Sequence, residues 1–482
     1  MTCVTLRTLA SRKLATATLL AAALAAPTTY AAAAPDRGAP EPGSPEYVAR
    51  DLQNIDDAYG RITDVQLADP DYLPALATEI PAVALAQLLE QAATPTRPSI
   101  TAGAYFPGWN VGNPLRAGWG GTRGRALPVS FTNRFGALLR GTLHAPLEGA
   151  RDPYTGKRLR PPFPGVVITE GSVQGSENMY LWLAQDLAER GYLVLTYDVQ
   201  GQGTSQTLPG DGSLSGVPSQ QIDNFVVGTQ DALTFLLSTP QDPAPAYGAT
   251  EGEVTGSNPW HALLDRRPDR RPSAAGRTAK IAVVGHSLGA AAISQVQAVD
   301  ERISTIVALD KLGASVTEGG VAVEPVVPAL AIQSEYGFTV SPWFLSGGSS
   351  LRPEPSPDGP SPTREKETGF DAWRSADVDS LLVVPRASTH LEYTDIPLAL
   401  PASRWGQALT SAYTQRWLDH YLKNKPLRPL LAERFRYLEP VGGGVWEPVV
   451  LERDPLLSFY YCSAMHLAGG AIDDGDLTGV GC

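Results

Sequence analysis

The chain has 482 residues, and its formal net charge at pH 7 is −12, from 50 acidic and 38 basic side chains. An acidic surface of this kind excludes electrostatic binding to nucleic acid. By length alone the chain could form two domains, but its strand-like segments form one series, so we expect one main domain with extensions.

The first 34 residues are predicted to be a secretory signal peptide. Arg7, Arg12 and Lys13 form a positive region, a short apolar stretch follows at 14–26, and a run of alanines offers cleavage sites. The apolar stretch is too short to span a bilayer, and no later segment is apolar enough. We therefore expect an exported, extracellular protein that does not insert stably into a membrane.

Residues 35–127 are predicted to be a flexible leader followed by a helical extension. Residues 35–44 are rich in Pro and Gly, and apolar residues recur at helical spacing over 45–59 and again over 80–92. We identify no chemistry in this part of the sequence.

Apolar strands alternate with helical segments between residues 128 and 425. A pair of edge strands is predicted around 129–132 and 138–143. The buried strands that follow lie at 165–169, 192–197, 279–284, 303–309, 328–333 and 381–384. The helices between and after them include 178–190, 222–238 and 405–423. This alternation predicts an α/β fold with a mostly parallel, doubly wound sheet and helices on both faces, whose chemistry lies outside the carboxyl ends of the strands.

The most informative motif is Gly-His-Ser-Leu-Gly at residues 285–289. It directly follows a buried strand and directly precedes a run of small residues typical of a tightly packed helix. A sharp turn between such a strand and helix exposes a serine hydroxyl, and the glycines leave room for the turn. We therefore interpret Ser287 as a catalytic nucleophile rather than an ordinary turn serine.

The chain resembles the α/β-hydrolase superfamily, and within it the secreted serine esterases, lipases and cutinases. The resemblance covers about residues 128–425 and is carried by the 285–289 motif, the strand-end run 198–205, and Thr389 with His390. It implies a nucleophile, an acid and a histidine in that chain order, with no metal or organic cofactor.

His390 is the predicted general base and acid. A serine is a poor nucleophile at neutral pH unless a base takes its proton. Of the six histidines, only His390 follows a final strand after the nucleophile and the candidate acids.

The acid has two candidates. The superfamily commonly places an Asp near the position that Gly337 occupies here, and Glu335 lies two residues earlier. Asp310 ends the preceding strand, as the acid does in pancreatic-type lipases. Either carboxylate could hold one imidazole tautomer and stabilise the imidazolium, and the sequence leaves both open.

The resemblance also predicts an oxyanion hole made of two backbone N–H groups. One is that of Leu288, directly after the nucleophile, and the other is that of Ser172 in the loop after strand 165–169, with Val173 as the next choice. Many relatives carry His-Gly in that loop where this chain has Glu-Gly. Backbone donation does not depend on that side chain.

Two long segments rich in Ser, Gly and Pro, 207–219 and 341–367, interrupt the predicted domain. The second lies between Glu335 and His390, so it is either a mobile lid bordering the site or a surface insertion. Trp343 and Phe344 at its start would suit contact with an apolar acyl or aryl group.

Residues 426–482 are predicted to be a C-terminal extension. Cys462 and Cys482 are the cysteines left after the signal peptide, and in an oxidising compartment we expect them to pair as a disulfide. His466 lies between them, but three scattered candidates do not form a metal site.

The sequence therefore predicts a secreted, monomeric serine hydrolase that cleaves carboxylic esters of small-molecule, lipid or polyester substrates through an acyl-enzyme. A secreted peptidase or amidase of the same fold is the nearest alternative. A catalytically silent binding protein with this fold is the other.

Overall fold

A computed structural model describes most of the chain after residue 39. The described residues are 40–93, 110–172, 175–207, 220–248, 254–271, 276–315, 322–340, 342–343, 359–396, 401–468, 472–474 and 477. They fall in one compact unit, Arg37–Cys482. The predicted signal peptide lies outside them.

The strands form one large sheet and one two-stranded sheet. They are β1 (Gly124–Thr132), β2 (Leu138–Pro146), β3 (Gly165–Thr169), β4 (Leu193–Tyr197), β5 (Ile281–His286), β6 (Ile303–Leu309), β7 (Ala329–Ile332), β8 (Ser380–Val383), β9 (Arg434–Pro440), β10 (Trp446–Glu452), β11 (Ala464–Leu467) and β12 (Ile472–Asp474). The order in the large sheet is β1-β2-β4-β3-β5-β6-β7-β8-β11-β12, and β9 pairs with β10.

The α-helices are α1 (Pro45–Ala58), α2 (Tyr72–Ala93), α3 (Leu181–Glu189), α4 (Ile222–Leu237), α5 (Leu288–Val299), α6 (Asp371–Ser375) and α7 (Gly406–Lys423). π-Helical turns lie at Ile62–Gln66 and Lys366–Phe370, and 3-10 turns lie at Pro114–Arg116, Glu177–Tyr180, His261–Leu263, Arg428–Leu431 and Asp454–Leu456.

Local features mark the start of α1 and the end of α7. Ser44 caps α1 by accepting a hydrogen bond from the Tyr47 N–H (3.2 Å), and α7 ends at Asn424 in the left-handed conformation.

The centre of the large sheet is parallel and its two edges are antiparallel. Strands β3 to β8 pair in parallel, β1 and β2 add antiparallel strands on one side, and β11 and β12 add them on the other. Every residue of β3 to β8 is buried. Because the sheet is covered on both faces, these strands are nearly continuous apolar runs.

Two apolar cores lie on the two faces of this sheet. Phe225 of α4 and Ile293 of α5 belong to one core, together with Val283 of β5. Trp417 of α7 belongs to the other core, together with Val284 of the same strand. Neighbouring residues of β5 thus serve opposite faces, as the two-residue period of a strand dictates.

The predicted α/β class with a mostly parallel sheet and helices on both faces is confirmed, as is the antiparallel pairing of β1 with β2. The region predicted as a C-terminal extension, 426–482, contributes β11 and β12 to the main sheet. That contribution is not evident in the sequence, because both strands are short and β11 pairs with an edge far away in the chain.

Among the described residues, no helix combines the length and the apolar character that crossing a membrane requires.

Candidate active site

The predicted site residues follow the carboxyl ends of neighbouring parallel strands. Ser287 follows β5, Asp310 follows β6, Glu335 follows β7 by three residues, and His390 lies in the loop after β8. Because β5, β6, β7 and β8 are adjacent in the sheet, these loops meet at one edge.

Ser287 occupies a strained turn between β5 and α5. Its backbone has φ 55° and ψ −120°, a conformation that costs a non-glycine residue about 1–3 kcal/mol. The flanking glycines permit the turn: a Cβ on Gly285 would lie 2.3 Å from the Gly289 carbonyl oxygen, and one on Gly289 would lie 2.4 Å from that of Glu170. The turn leaves Ser287 partly exposed at the rim.

The structure brings Ser287, His390 and Asp310 together in a hydrogen-bonded chain. The His390 Nε2 lies 2.9 Å from the Ser287 Oγ, and the His390 Nδ1 lies 2.6 Å from the Asp310 Oδ2. The His390 backbone N–H donates to the Gly337 carbonyl oxygen at 3.0 Å, so Gly337, where the resemblance led us to look for an acid, supplies a backbone acceptor. Both imidazole nitrogens therefore have partners of the kind that general-base catalysis needs.

Asp310 is held as a buried carboxylate. Burial alone would raise its pKa, but the hydrogen bond and charge of His390, the Lys311 ammonium and the Ser334 hydroxyl together keep the pKa below its ordinary value. The Ser334 Oγ–H donates to the Asp310 Oδ2 at 2.6 Å, and the Ser334 N–H donates to the Oδ1 at 3.2 Å. Periodicity did not identify Ser334; the only signal was a hydroxyl residue two positions after a buried strand.

Glu335 is not brought to His390. Its carboxylate is fully buried and accepts hydrogen bonds from the Asn54 side chain (2.5 Å), the Ala387 N–H (2.6 Å) and the Ser458 hydroxyl (2.6 Å). Burial raises the pKa of Glu335 to about 7 despite these donors. Its contacts therefore tie the start of the histidine loop to α1 and to the chain before β11.

The two predicted oxyanion donors belong to two segments that both adjoin Ser287. Leu288 is the first residue of α5, so its N–H has no acceptor within the helix. The loop that carries Ser172 passes directly against the nucleophile, because a Cβ on Gly171 would lie 3.1 Å from the Ser287 Cβ. The Gln202 side-chain amide braces this loop by donating to the Gly171 carbonyl oxygen at 2.8 Å. The next-choice donor, Val173, lies outside the described residues.

An aromatic side chain that we did not predict borders the base. The Phe338 ring meets the His390 imidazole edge to face, with centroids 4.8 Å apart, and 38% of Phe338 is exposed. Trp343, which we expected to contact substrate, is instead fully buried and stacks on Tyr336 with centroids 5.3 Å apart. Phe344 and the interiors of the two long segments, 208–219 and 344–358, lie outside the described residues.

Two further expectations concern Cys462 and metal binding. Cys462 is fully buried, and because Cys482 lies outside the described residues the Cys462–Cys482 disulfide stays a prediction. In the part of the chain that the structure describes, no group of three or more His, Cys, Asp or Glu side chains is arranged to hold a metal ion.

Comparison with known proteins adds no family to this geometry: no family model matches the chain, and no curated protein matches its sequence.

Proposed function

We propose that the protein is an exported serine hydrolase of the α/β-hydrolase fold that cleaves carboxylic esters. The observation that carries the proposal is the Ser287–His390–Asp310 chain, with bonds of 2.9 and 2.6 Å at the carboxyl ends of adjacent parallel strands. The chain order of nucleophile, acid and base also agrees with that fold.

In the proposed reaction the Ser287 Oγ attacks the ester carbonyl carbon while the His390 Nε2 takes the hydroxyl proton. Asp310 holds the imidazole with Nε2 facing the serine and stabilises the imidazolium. The N–H groups of Leu288 and Ser172 stabilise the oxyanion, and each such donor typically contributes about 3 kcal/mol to transition-state stability.

The tetrahedral intermediate then collapses to an acyl-serine. His390 returns the proton to the departing alkoxide, and the alcohol leaves. Water, deprotonated by the same imidazole, attacks the acyl carbon, and the imidazolium then gives its proton to the Ser287 Oγ as the carboxylic acid leaves. Every step proposed here uses only these side chains, backbone groups and water.

The test is a panel of chromogenic esters of increasing acyl length, with anilides and peptides beside them. We expect ester hydrolysis by the purified protein and a loss of about 10⁴-fold or more in Ser287→Ala. Ser304→Ala is the matched control, because Ser304 Oγ donates to the Ala279 carbonyl oxygen at 2.7 Å, near the opposite end of the strands.

Turnover of amides in preference to esters would favour the peptidase alternative. A folded protein that turns over no member of the panel, or a Ser287→Ala variant as active as the control, would contradict the proposal.

A further inference from the structure

The loop that carries Gly171 and Ser172 is called the oxyanion loop here. Three buried hydrogen bonds connect it to the backbone of the candidate base, His390. The Gly171 N–H donates to the Tyr180 hydroxyl oxygen (2.9 Å), the Tyr180 hydroxyl meets the His286 Nδ1 (2.8 Å), and the His286 Nε2 meets the His390 carbonyl oxygen (2.8 Å). Tyr180 and His286 are each 2% exposed. We call Tyr180 and His286 the relay pair.

The donor and acceptor groups available fix the direction of every hydrogen bond in this series. A carbonyl oxygen only accepts, so the Nε2 of His286 must carry a proton. The Nδ1 of the neutral ring can then only accept, so the Tyr180 hydroxyl donates to it. That leaves the Tyr180 oxygen as the acceptor for the Gly171 N–H.

The pKa values of His286 and Tyr180 preserve these protonation states near neutral pH. Burial lowers the pKa of His286 to about 3, so the ring does not gain the second proton that would displace the Tyr180 donor. Burial also raises the pKa of the Tyr180 phenol, which therefore keeps its proton.

The relay pair lies where the three functional segments meet. A Cβ on Gly171 would lie 2.9 Å from the His286 Nδ1, and the rings of His286 and His390 have centroids 4.8 Å apart. Gly171 precedes Ser172, His286 precedes Ser287, and the third segment carries His390 itself. One pair of side chains thus touches the nucleophile turn, the oxyanion loop and the base loop.

We propose that Tyr180 and His286 are positioning residues that fix the oxyanion loop and the His390 loop relative to Ser287. The proposal rests on the proposed esterase function. Their contribution belongs to the transition state, because the oxyanion donor and the base must be correctly placed only when charge develops. Small displacements of such groups can cost up to about 10²-fold in rate.

The test compares Tyr180→Phe with Tyr192→Phe. Each substitution removes one buried hydroxyl. Tyr192 directly precedes β4, away from the site, and its hydroxyl donates to Asp419 at 2.9 Å. We expect kcat of Tyr180→Phe to fall about 10–10²-fold with KM nearly unchanged. We also expect its affinity for an alkylboronic acid, which forms a tetrahedral adduct with serine, to fall in parallel. Tyr192→Phe should lose thermal stability without either kinetic change.

A second pair of variants keeps the test decisive if Tyr180→Phe folds poorly. His286→Gln retains a side-chain N–H for the His390 carbonyl oxygen, whereas His286→Leu cannot donate, so the Leu variant should lose more kcat than the Gln variant. Equal kcat in the two variants, or a Tyr180→Phe variant that matches Tyr192→Phe in kcat and boronate affinity, would overturn the positioning role. Failure of the unsubstituted protein to hydrolyse any ester would instead overturn the proposed function.

Discussion

At the residue scale, Asp310 and Glu335 are both fully enclosed carboxylates that follow neighbouring strands, yet their surroundings differ. Asp310 contacts an imidazole and one serine, and its pKa lies below the ordinary value. Glu335 contacts neutral donors, and its pKa is raised to about 7 by burial. Their different environments thus shift the two pKa values in opposite directions.

We predict that Asp310→Asn lowers kcat for ester hydrolysis by about 10⁴-fold, because an amide at this position stabilises the wrong imidazole tautomer. Glu335→Gln is the matched substitution and should leave kcat close to that of the unsubstituted protein, because the amide oxygen can still accept from Ala387 and Asn54. Steady-state kinetics at one pH measures both. The reverse order of losses would assign the acid role to Glu335.

Phe338 provides a second prediction at this scale. Its exposed ring stands against His390, so an acyl or aryl group entering the site can be buried against it. Phe338→Ala should lower kcat/KM for long-acyl and aryl esters by about tenfold relative to acetyl esters, since burying a phenylalanine side chain contributes about 1.5–3 kcal/mol. Phe135, 44% exposed in the turn between β1 and β2, provides the control variant Phe135→Ala. A uniform loss across the ester series would argue against a role in selectivity.

The sequence indicated that Ser287 and His390 would lie together, but it left two carboxylates open as partners of the imidazole. Ser287 has a local signature, since two glycines and flanking apolar runs specify the turn. The choice of acid depends on contacts distant in the chain: the partner of Glu335 on α1 is Asn54, separated from it by 281 residues. Phe338 and Ser334 have no periodic signal, so only the folded loops reveal their neighbours.

At the element scale, α1 and the turn after it brace the loop that carries His390. Asn54 donates to Glu335 and to the Tyr336 hydroxyl (2.9 Å), and Arg61 donates to the carbonyl oxygens of Leu391 (3.3 Å) and Glu392 (3.2 Å). The helical extension, for which the sequence indicated no chemistry, therefore contacts this loop directly through Arg61 and indirectly, through Glu335, at Ala387.

We predict that Asn54→Ala loosens the histidine loop. The substitution removes one donor from the buried Glu335 carboxylate, at a cost of about 1–3 kcal/mol. Backbone amides of residues 387–392 should then exchange hydrogen faster, as hydrogen-exchange mass spectrometry can measure. Asn258→Ala is the control: Asn258 is equally buried, and its amide donates to the Leu236 carbonyl oxygen at 2.7 Å. Unchanged hydrogen exchange at 387–392, or the same increase in Asn258→Ala, would contradict the proposal that Asn54 stabilises the loop that carries His390.

The elements themselves were largely predictable where burial is continuous. Apolar runs indicated β3 to β8, because strands covered on both faces need apolar residues throughout. The short strands β11 and β12 carry too few residues for a periodic signal, and the pairing of β11 with β8 depends on the assembled sheet.

At the scale of the whole molecule, buried glutamates make stability depend on pH. Burial raises the pKa of both Glu335 and Glu392 to about 7 from an ordinary value of 4.5. The folded protein therefore binds these protons more tightly than the unfolded chain does. Their contribution to stability is fully present below about pH 4.5 and is lost as the pH rises through 7.

We predict that the free energy of unfolding falls between pH 5 and pH 8, with up to about 3 kcal/mol from each of the two groups. Glu335→Gln and Glu392→Gln should each reduce this fall, whereas Glu301→Gln, at an exposed position, should not. Urea unfolding at the two pH values measures the difference. An identical fall in all four proteins would assign the pH dependence to other groups.

The reactivity of Ser287 is the central claim, and covalent labelling tests it most directly. The folded protein would be treated with a fluorophosphonate, digested and mapped by peptide mass spectrometry, with Ser287→Ala alongside. We predict one adduct per chain, on Ser287, formed far more slowly in Asp310→Asn and absent from Ser287→Ala. No adduct on Ser287 in the folded protein, or labelling that persists unchanged in Ser287→Ala, would contradict the claim.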